Sequence, residues 1–438
     1  MGQWRSWDRE REEQERHWSA ALPAKKTKRM LHDIRVIELS GPETMMAGRI
    51  LGDLGADVIV VEPPGGAAGR RLDPFLDDMP GLDRSLTWHA LNRGKRGITL
   101  DLGTPDGRAL LEALGRSAAL LLETADRKAT APKADVTLPA STVRCRITPF
   151  LSTGPKRDYL ASDLIVSAAT GVPGITGTPE RPPLFYPVPQ AMMEAGAEAA
   201  IASLAALSAR DVDGLGQDIE VPARLAGMMS ALSVPIVVPA NNPELQRTPA
   251  RQRLAGVALP GIFACQDGFV LVSFAFGQAF GRLTQRLMQW AVEQNCLEAR
   301  LGAVDWSTAP QQAEKGSLTA EDIRATVDAI ATLCLRHTKD AFGAEARKRG
   351  LLAAPLMDMR DIGQSPQYRE RGLWSSPVAV GAEGRTVEDP ARFAQFSNYT
   401  IDVRRPAPTL SQHTAEILKT DLGLSSAEVQ ALFVHGII

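Results

Sequence analysis

Aromatic residues make up only 5% of this 438-residue chain, and it has just four cysteines. Cys145, Cys265, Cys296 and Cys334 stand far apart with no C-x-x-C pair. That spacing excludes a zinc ribbon or a disulfide scaffold and fits reduced, buried thiols. No uncharged apolar run reaches the roughly 18 residues of a membrane-spanning helix. The most apolar stretch, residues 228–240, is interrupted by Pro235 and Pro239. The formal net charge is −2, so no global field favours nucleic acid or an acidic membrane. Residues 1–30 alternate arginine with glutamate and hold no apolar signal-peptide core. These absences lead us to expect a cytoplasmic protein with no metal centre and no nucleic-acid or membrane partner.

What is present is an ordinary globular composition, 44% apolar and 23% charged, long enough for two or three domains. Residues 1–30 read as a charged extension in which Trp4, Trp7 and Trp18 fall at spacings suited to one helix face. This segment is a solvated helix or tail, or a docking arm for a partner subunit.

From residue 31 the pattern becomes α/β. Residues 34–39 (IRVIEL) form a short β-branched run, residues 44–54 have helical periodicity, and residues 56–62 (ADVIVVE) form a second run. Strand–helix–strand order predicts a parallel, doubly wound sheet. Residues 97–102, 105–115 and 118–123 repeat that order, and residues 218–221 add a strand. Alternation is lost over residues 226–345. A hairpin is expected there around Gln266, Asp267 and Gly268, followed by helices over 280–296 and 320–337. The expected organisation is an extension at 1–30, a large Rossmann-like domain from 31–225 with 350–438, and a smaller α+β domain at 226–349.

Five separated segments then resemble one family in its own order. They are residues 34–66 (IRVIELSGPETMMAGRILGDLGADVIVVEPPGG), NRGKRGITLDL at 92–102, STGP at 152–155 with SDLIVSAATG at 162–171, RDVDGLGQDIEV at 210–221, and the closing APTLSQHTAEILKTDLGLSSAEVQALFVHGII. Together they resemble the class III (CaiB/BaiF) coenzyme A transferases over about residues 31–438. The resemblance implies two chains interlocked as a dimer. It also implies coenzyme A or its acyl thioester as substrate or ligand, with no covalently bound cofactor.

Coenzyme A carries phosphates, so it needs cations. Arg93, Lys95 and Arg96 form a dense cluster before a strand, and Arg70 and Arg71 follow the Gly65-Gly66 turn. Arginine forks and a lysine point charge both suit phosphate oxygens. A solvated basic loop would look the same from sequence. The resemblance, which sets this loop beside the nucleotide end, favours binding.

In the family an aspartate four residues before a glycine attacks the thioester and forms an aspartyl anhydride, which the released thiolate then reattacks. Here the glycine is Gly196 and the aspartate position is Met192. A thioether offers no carboxylate nucleophile. The related racemases add a histidine in a G-H-D motif, which aligns with Ala161, Ser162 and Asp163, so the histidine position is serine. Glu43, Asp163 and Glu194 are the candidate substitute acids. Asp163 also reads as a structural partner or helix cap, and Glu194 falls on another helix face from Met192. His89 and His337 read as ordinary surface or satisfied histidines.

The resemblance and Met192 together imply the subunit lacking the aspartate in a heteromeric transferase, like those acting on benzylsuccinate-like acids. Its partner would be a homologous chain that carries the aspartate; a homodimer is the other assembly. Two other readings stand beside it: a CoA-thioester lyase or isomerase of changed chemistry, and a non-catalytic CoA-binding structural or regulatory protein.

Overall fold

The β-branched runs form a six-stranded parallel sheet. It is seen in a computed structural model that describes residues 29–124, 136–232, 247, 252–381, 384–401 and 405–438. The expected helix face of Trp4, Trp7 and Trp18 lies outside the described residues. β1 (Arg35–Leu39) pairs with β2 (Asp57–Glu62), Val36 opposite Val58 and Leu39 opposite Val61. β3 (Arg96–Thr99) lies outside β2, while β4 (Leu120–Thr124), β5 (Val143–Thr148) and β6 (Asp218–Pro222) continue from the other side of β1. Central strands are covered on both faces, so their side chains are apolar at nearly every position rather than at alternate ones.

Helices join the strands where the sequence supplies starts and breaks. α1 (Met45–Asp53) lies between β1 and β2 and α2 (Leu86–Asn92) between β2 and β3. α3 (Pro105–Gly115) opens with Pro105 behind Thr104, whose hydroxyl accepts the Gly107 N–H. α4 (Asp163–Thr170), α5 (Gln190–Asp213) and α6 (Ala223–Met229) follow in the second half of the sheet. Among the described residues no helix is long and apolar enough to cross a membrane.

The chain divides into two compact units, Met1–Gly174 with Phe185–Pro243 and Gln367–Ile438 in the first, and Ile175–Leu184 with Glu244–Pro366 in the second. Within the second, β7 (Gln252–Leu254) pairs with β8 (Val257–Leu259). The hairpin around Gln266 and Asp267 joins β9 (Ile262–Cys265) to β10 (Gly268–Val272). α7 (Gly277–Glu293), α8 (Ala320–Leu335) and α9 (Lys339–Arg349) pack a core around Trp290, Trp306 and Phe342. β11 (Ala353–Leu356) pairs antiparallel with β10. That pairing carries the second unit beyond the expected end at residue 349. The first unit closes with a hairpin of β12 (Val378–Val380) and β13 (Arg385–Val387), then α10 (Thr414–Thr420) and α11 (Ser426–Val434).

Candidate active site

In open parallel sheets, ligands bind beyond the carboxyl ends of the strands where strand order reverses. Here that point lies between β1 and β4. Gly41 and Glu43 follow β1, and Thr124 ends β4. A Cβ on Gly41 would stand 3.0 Å from both Glu43 Oε2 and Thr124 Cγ2. Glu43 therefore brings a carboxylate to the switch point, and the glycine leaves it room.

The segment that carries Met192 is the first turn of α5. Pro189 precedes it and has no side chain that can cap the helix. The cap comes from α4 instead: Asp163 Oδ1 accepts the Met192 N–H at 3.0 Å, while Oδ2 accepts the Ser167 hydroxyl at 3.3 Å. Ser162, at the N-cap of α4, makes no side-chain capping bond. The Met192 side chain is 6% exposed and belongs to an apolar cluster with Val166, Ala195, Ala199 and Ala223. Gly196 has a steric reason of its own. A Cβ there would meet Met46 Cβ at 2.7 Å and the Ala47 nitrogen at 3.2 Å, so glycine lets α5 close on α1.

Glu194 is half-buried and lines a shallow pocket with Ser167, Tyr186, Gln190 and Ser230. Burial pushes its carboxyl pKa up, the Gln190 amide at 3.1 Å opposes this, and the Asp163 charge adds to the rise. Of the three candidate acids, Asp163 is committed to α5, Glu194 lines a pocket, and Glu43 is half-buried at the switch point.

The five expected phosphate-binding cations separate into two kinds. Arg70 is buried and bidentate to Glu62, with Nε–Oε2 at 2.6 Å and a second bond at 2.7 Å. It also pairs with Asp83 at 2.7 Å and stacks 4.0 Å over Trp88. Arg93 is buried between Asp53 at 3.0 Å and Asp389 at 3.7 Å. Lys95 is buried on Glu38 at 2.7 Å and also donates to Asn92 Oδ1 at 2.8 Å. Arg96 pairs with Asp57 at 2.7 Å and Asp421 at 3.0 Å. Each of these four charges is already met by a carboxylate inside the fold, so their first task is structural. Arg71 differs. It is exposed, and its guanidinium is held by the carbonyls of Gly65, Gly66 and Ala67. Among the described residues no carboxylate cancels its charge, which sits beside the turn that ends β2.

Sequence reasoning missed the acids that consume those cations. Glu38 and Glu62 interrupt the apolar runs of two central strands, and both are fully buried. A buried carboxylate demands a partner, so these two residues were the available signal. Burial pushes the Glu38 pKa up and the Lys95 pKa down, each against the pull of the other. A Cβ on Gly48 would fall 1.8 Å from Glu38 Oε2, so α1 needs glycine at that point. Also missed was Glu220 on β6. It accepts from the Ser152 N–H at 2.6 Å, the Ser152 hydroxyl at 2.7 Å and Thr148 at 3.1 Å, and so ties down the STGP loop after β5. His337 is satisfied, its Nδ1 lying 2.9 Å from the Leu333 carbonyl. His89 is buried rather than superficial, its Nε2 lying 3.4 Å from Asp389 Oδ2.

Known proteins match this chain over nearly its whole length. It is 30% identical over 407 residues to the succinate–glutarate CoA-transferase of Agrobacterium fabrum, covering 89% of this chain and 94% of that one. It is 28% identical over 418 residues to subunit BbsE of the succinyl-CoA:(R)-benzylsuccinate CoA-transferase of Thauera aromatica, covering 92% and 97%. The crystal structure of a CAIB/BAIF family protein from Brucella suis shares the fold with a TM-score of 0.73 at 23% identity, covering 90% of this chain and all of that one. Residues 31–414 match the profile of CoA-transferase family III, and with the α/β sheet and these relatives in view, the chain belongs to that family.

Proposed function

We propose that this chain is the non-nucleophilic subunit of a heteromeric transferase that moves CoA between an acyl-CoA and an organic acid. The observation that carries the reading is Met192. It occupies the position at which the family resemblance expects the attacking aspartate, and it is buried in an apolar cluster. The carboxylate that touches its backbone, that of Asp163, is spent on capping α5. In this reading the nucleophile comes from a homologous partner chain, as the subunit designation of the Thauera relative suggests. The phosphate-binding role expected of five cations narrows to Arg71, the one held only by carbonyls.

A second reading rests on Glu194. Its raised pKa and its place on a pocket wall suit a general acid. The chain alone would then run a CoA-thioester reaction of changed chemistry.

Affinity purification from the native host, followed by a CoA-transfer assay, separates the two. The heteromer reading expects a homologous partner to co-purify. It also expects hydroxylamine-trappable acyl-enzyme on the partner and none on this chain. Turnover by the isolated chain that Glu194→Gln abolishes would replace it with the second reading.

A further inference from the structure

A cleft of about 460 Å3 opens in the first unit and shares no lining residue with the pocket beside α5. Its wall includes Trp374, Ser376, Val378, Arg392, Arg405 and Pro406. At Ala379 and Pro406 it adjoins a second lobe of about 190 Å3. This size is within the ordinary range of small-molecule sites. The frame behind it is hydrogen-bonded. Ser375 N–H donates to the Asp389 carbonyl at 2.9 Å, Asp389 N–H donates to the Ser375 hydroxyl at 3.0 Å, and Ala391 N–H donates to the Leu373 carbonyl at 2.7 Å.

Among the described residues on this wall, the charged ones are both arginines. Arg392 Nε donates to the Ile401 carbonyl at 3.3 Å. Arg405 is half-buried, and its guanidinium makes no hydrogen bond or ion pair among the described residues. Its backbone is nevertheless fixed, the carbonyl accepting the Gly94 N–H at 2.9 Å. The contrast with Arg70, Arg93 and Arg96 is informative, because each of those meets carboxylates within the fold. Arg405 also acts on its neighbours: burial lowers the His413 pKa, Glu416 opposes that, and Arg405 lowers it further. A partly desolvated cation on a backbone held in place, on a wall it shares with Arg392, Ser375 and Ser376 as well as Trp374 and Pro406, has one natural complement, an oxyanion.

We propose that this cleft binds a small organic oxyanion, a carboxylate or phosphate on an apolar skeleton, with Arg405 as the charge anchor and Trp374 and Pro406 against the apolar part. It is a site separate from the thioester chemistry.

Calorimetry on the full chain tests this with benzoate and phenyl phosphate as probes and methyl benzoate as the neutral control. The two acids distinguish a carboxylate site from a phosphate site. Saturable binding of at least one acid and none of the ester is expected. Arg405→Gln should weaken it about tenfold or more, and Arg405→Lys should restore part of the loss. Ala379→Trp, a change at an exposed position between the lobes, should block binding without lowering the melting temperature. It decides the matter if Arg405→Gln folds poorly. Saturating CoA should leave the probe bound. The proposal is overturned if neither acid binds, if the two blocking variants bind as the parent does, or if CoA displaces the probes.

Discussion

The backbone N–H of Met192 donates to the Asp163 carboxylate at 3.0 Å, so the start of α5 is capped by a residue from α4. This bond joins the two segments that the family resemblance singled out. It gives the aspartate of SDLIVSAATG a reason to be there that requires no catalysis. Removing it should cost about 0.5–2 kcal/mol, the usual loss for an N-terminal cap. Asp163→Ala is expected to lower the urea midpoint accordingly, while Asp163→Asn, which still accepts the N–H, should recover most of it.

Met192→Asp tests whether one side chain separates this site from a nucleophilic one. The new carboxyl would enter the cluster of Val166, Ala195 and Ala199. An unpaired polar group buried there costs roughly 1–3 kcal/mol or more and stays protonated near neutral pH. A lower melting temperature and no more than trace CoA transfer are expected, with or without a partner chain. Parental stability combined with strong activity would show that one side chain alone separates this site from a nucleophilic one.

Gly196→Ala should be costly although it adds a single methyl group. Its Cβ would stand 2.7 Å from Met46 Cβ and 3.2 Å from a backbone nitrogen. Overpacking of this kind costs about 1–3 kcal/mol. Chemical denaturation measures it, and an unchanged midpoint would show that α1 and α5 can part without loss.

Arg70 and Arg71 are adjacent in sequence and should behave oppositely. Arg70→Ala strands the buried Glu62, and breaking such a pair costs about 3–5 kcal/mol. Arg71→Ala should leave stability within about 0.5 kcal/mol yet weaken CoA binding about tenfold. Paired melting curves and titrations check both halves, and a fully stable Arg70→Ala protein would refute the assignment of roles.

The Asp57 ion pairs should give acid sensitivity over a defined window. Burial alone would raise the Asp57 pKa, but Arg96 and Arg35 hold it below the usual carboxylate range. A lowered folded pKa means that the contribution is fully present above the unfolded value, about 3.9. It is lost as pH falls through the lower folded one. The stability gap between the parent and Asp57→Asn should therefore stay constant from pH 7 to about 5 and shrink below about 4. A gap independent of pH would show that the charge is not what stabilises the pair.

By itself the sequence determined the α/β class, the parallel strands and the family. These rest on local features: β-branched runs, turn glycines, helix starts such as Thr104-Pro105, and motifs in a fixed order. It also marked Met192 as the position at which the family resemblance expects the aspartate. What it could not decide was which charges are spent inside the fold. NRGKRG reads as one basic cluster, yet Arg93, Lys95 and Arg96 point to three different sets of carboxylates, on Asp53 and Asp389, on Glu38, and on Asp57 and Asp421. Those partners lie from 39 to 325 positions away in the chain. Only the sheet order and the return of the C-terminal segment bring them together. Whether a cation meets a carboxylate or stays open to a ligand is settled by distances of a few ångströms in three dimensions, and that is why Arg71 and Arg405 stand out in the structure alone.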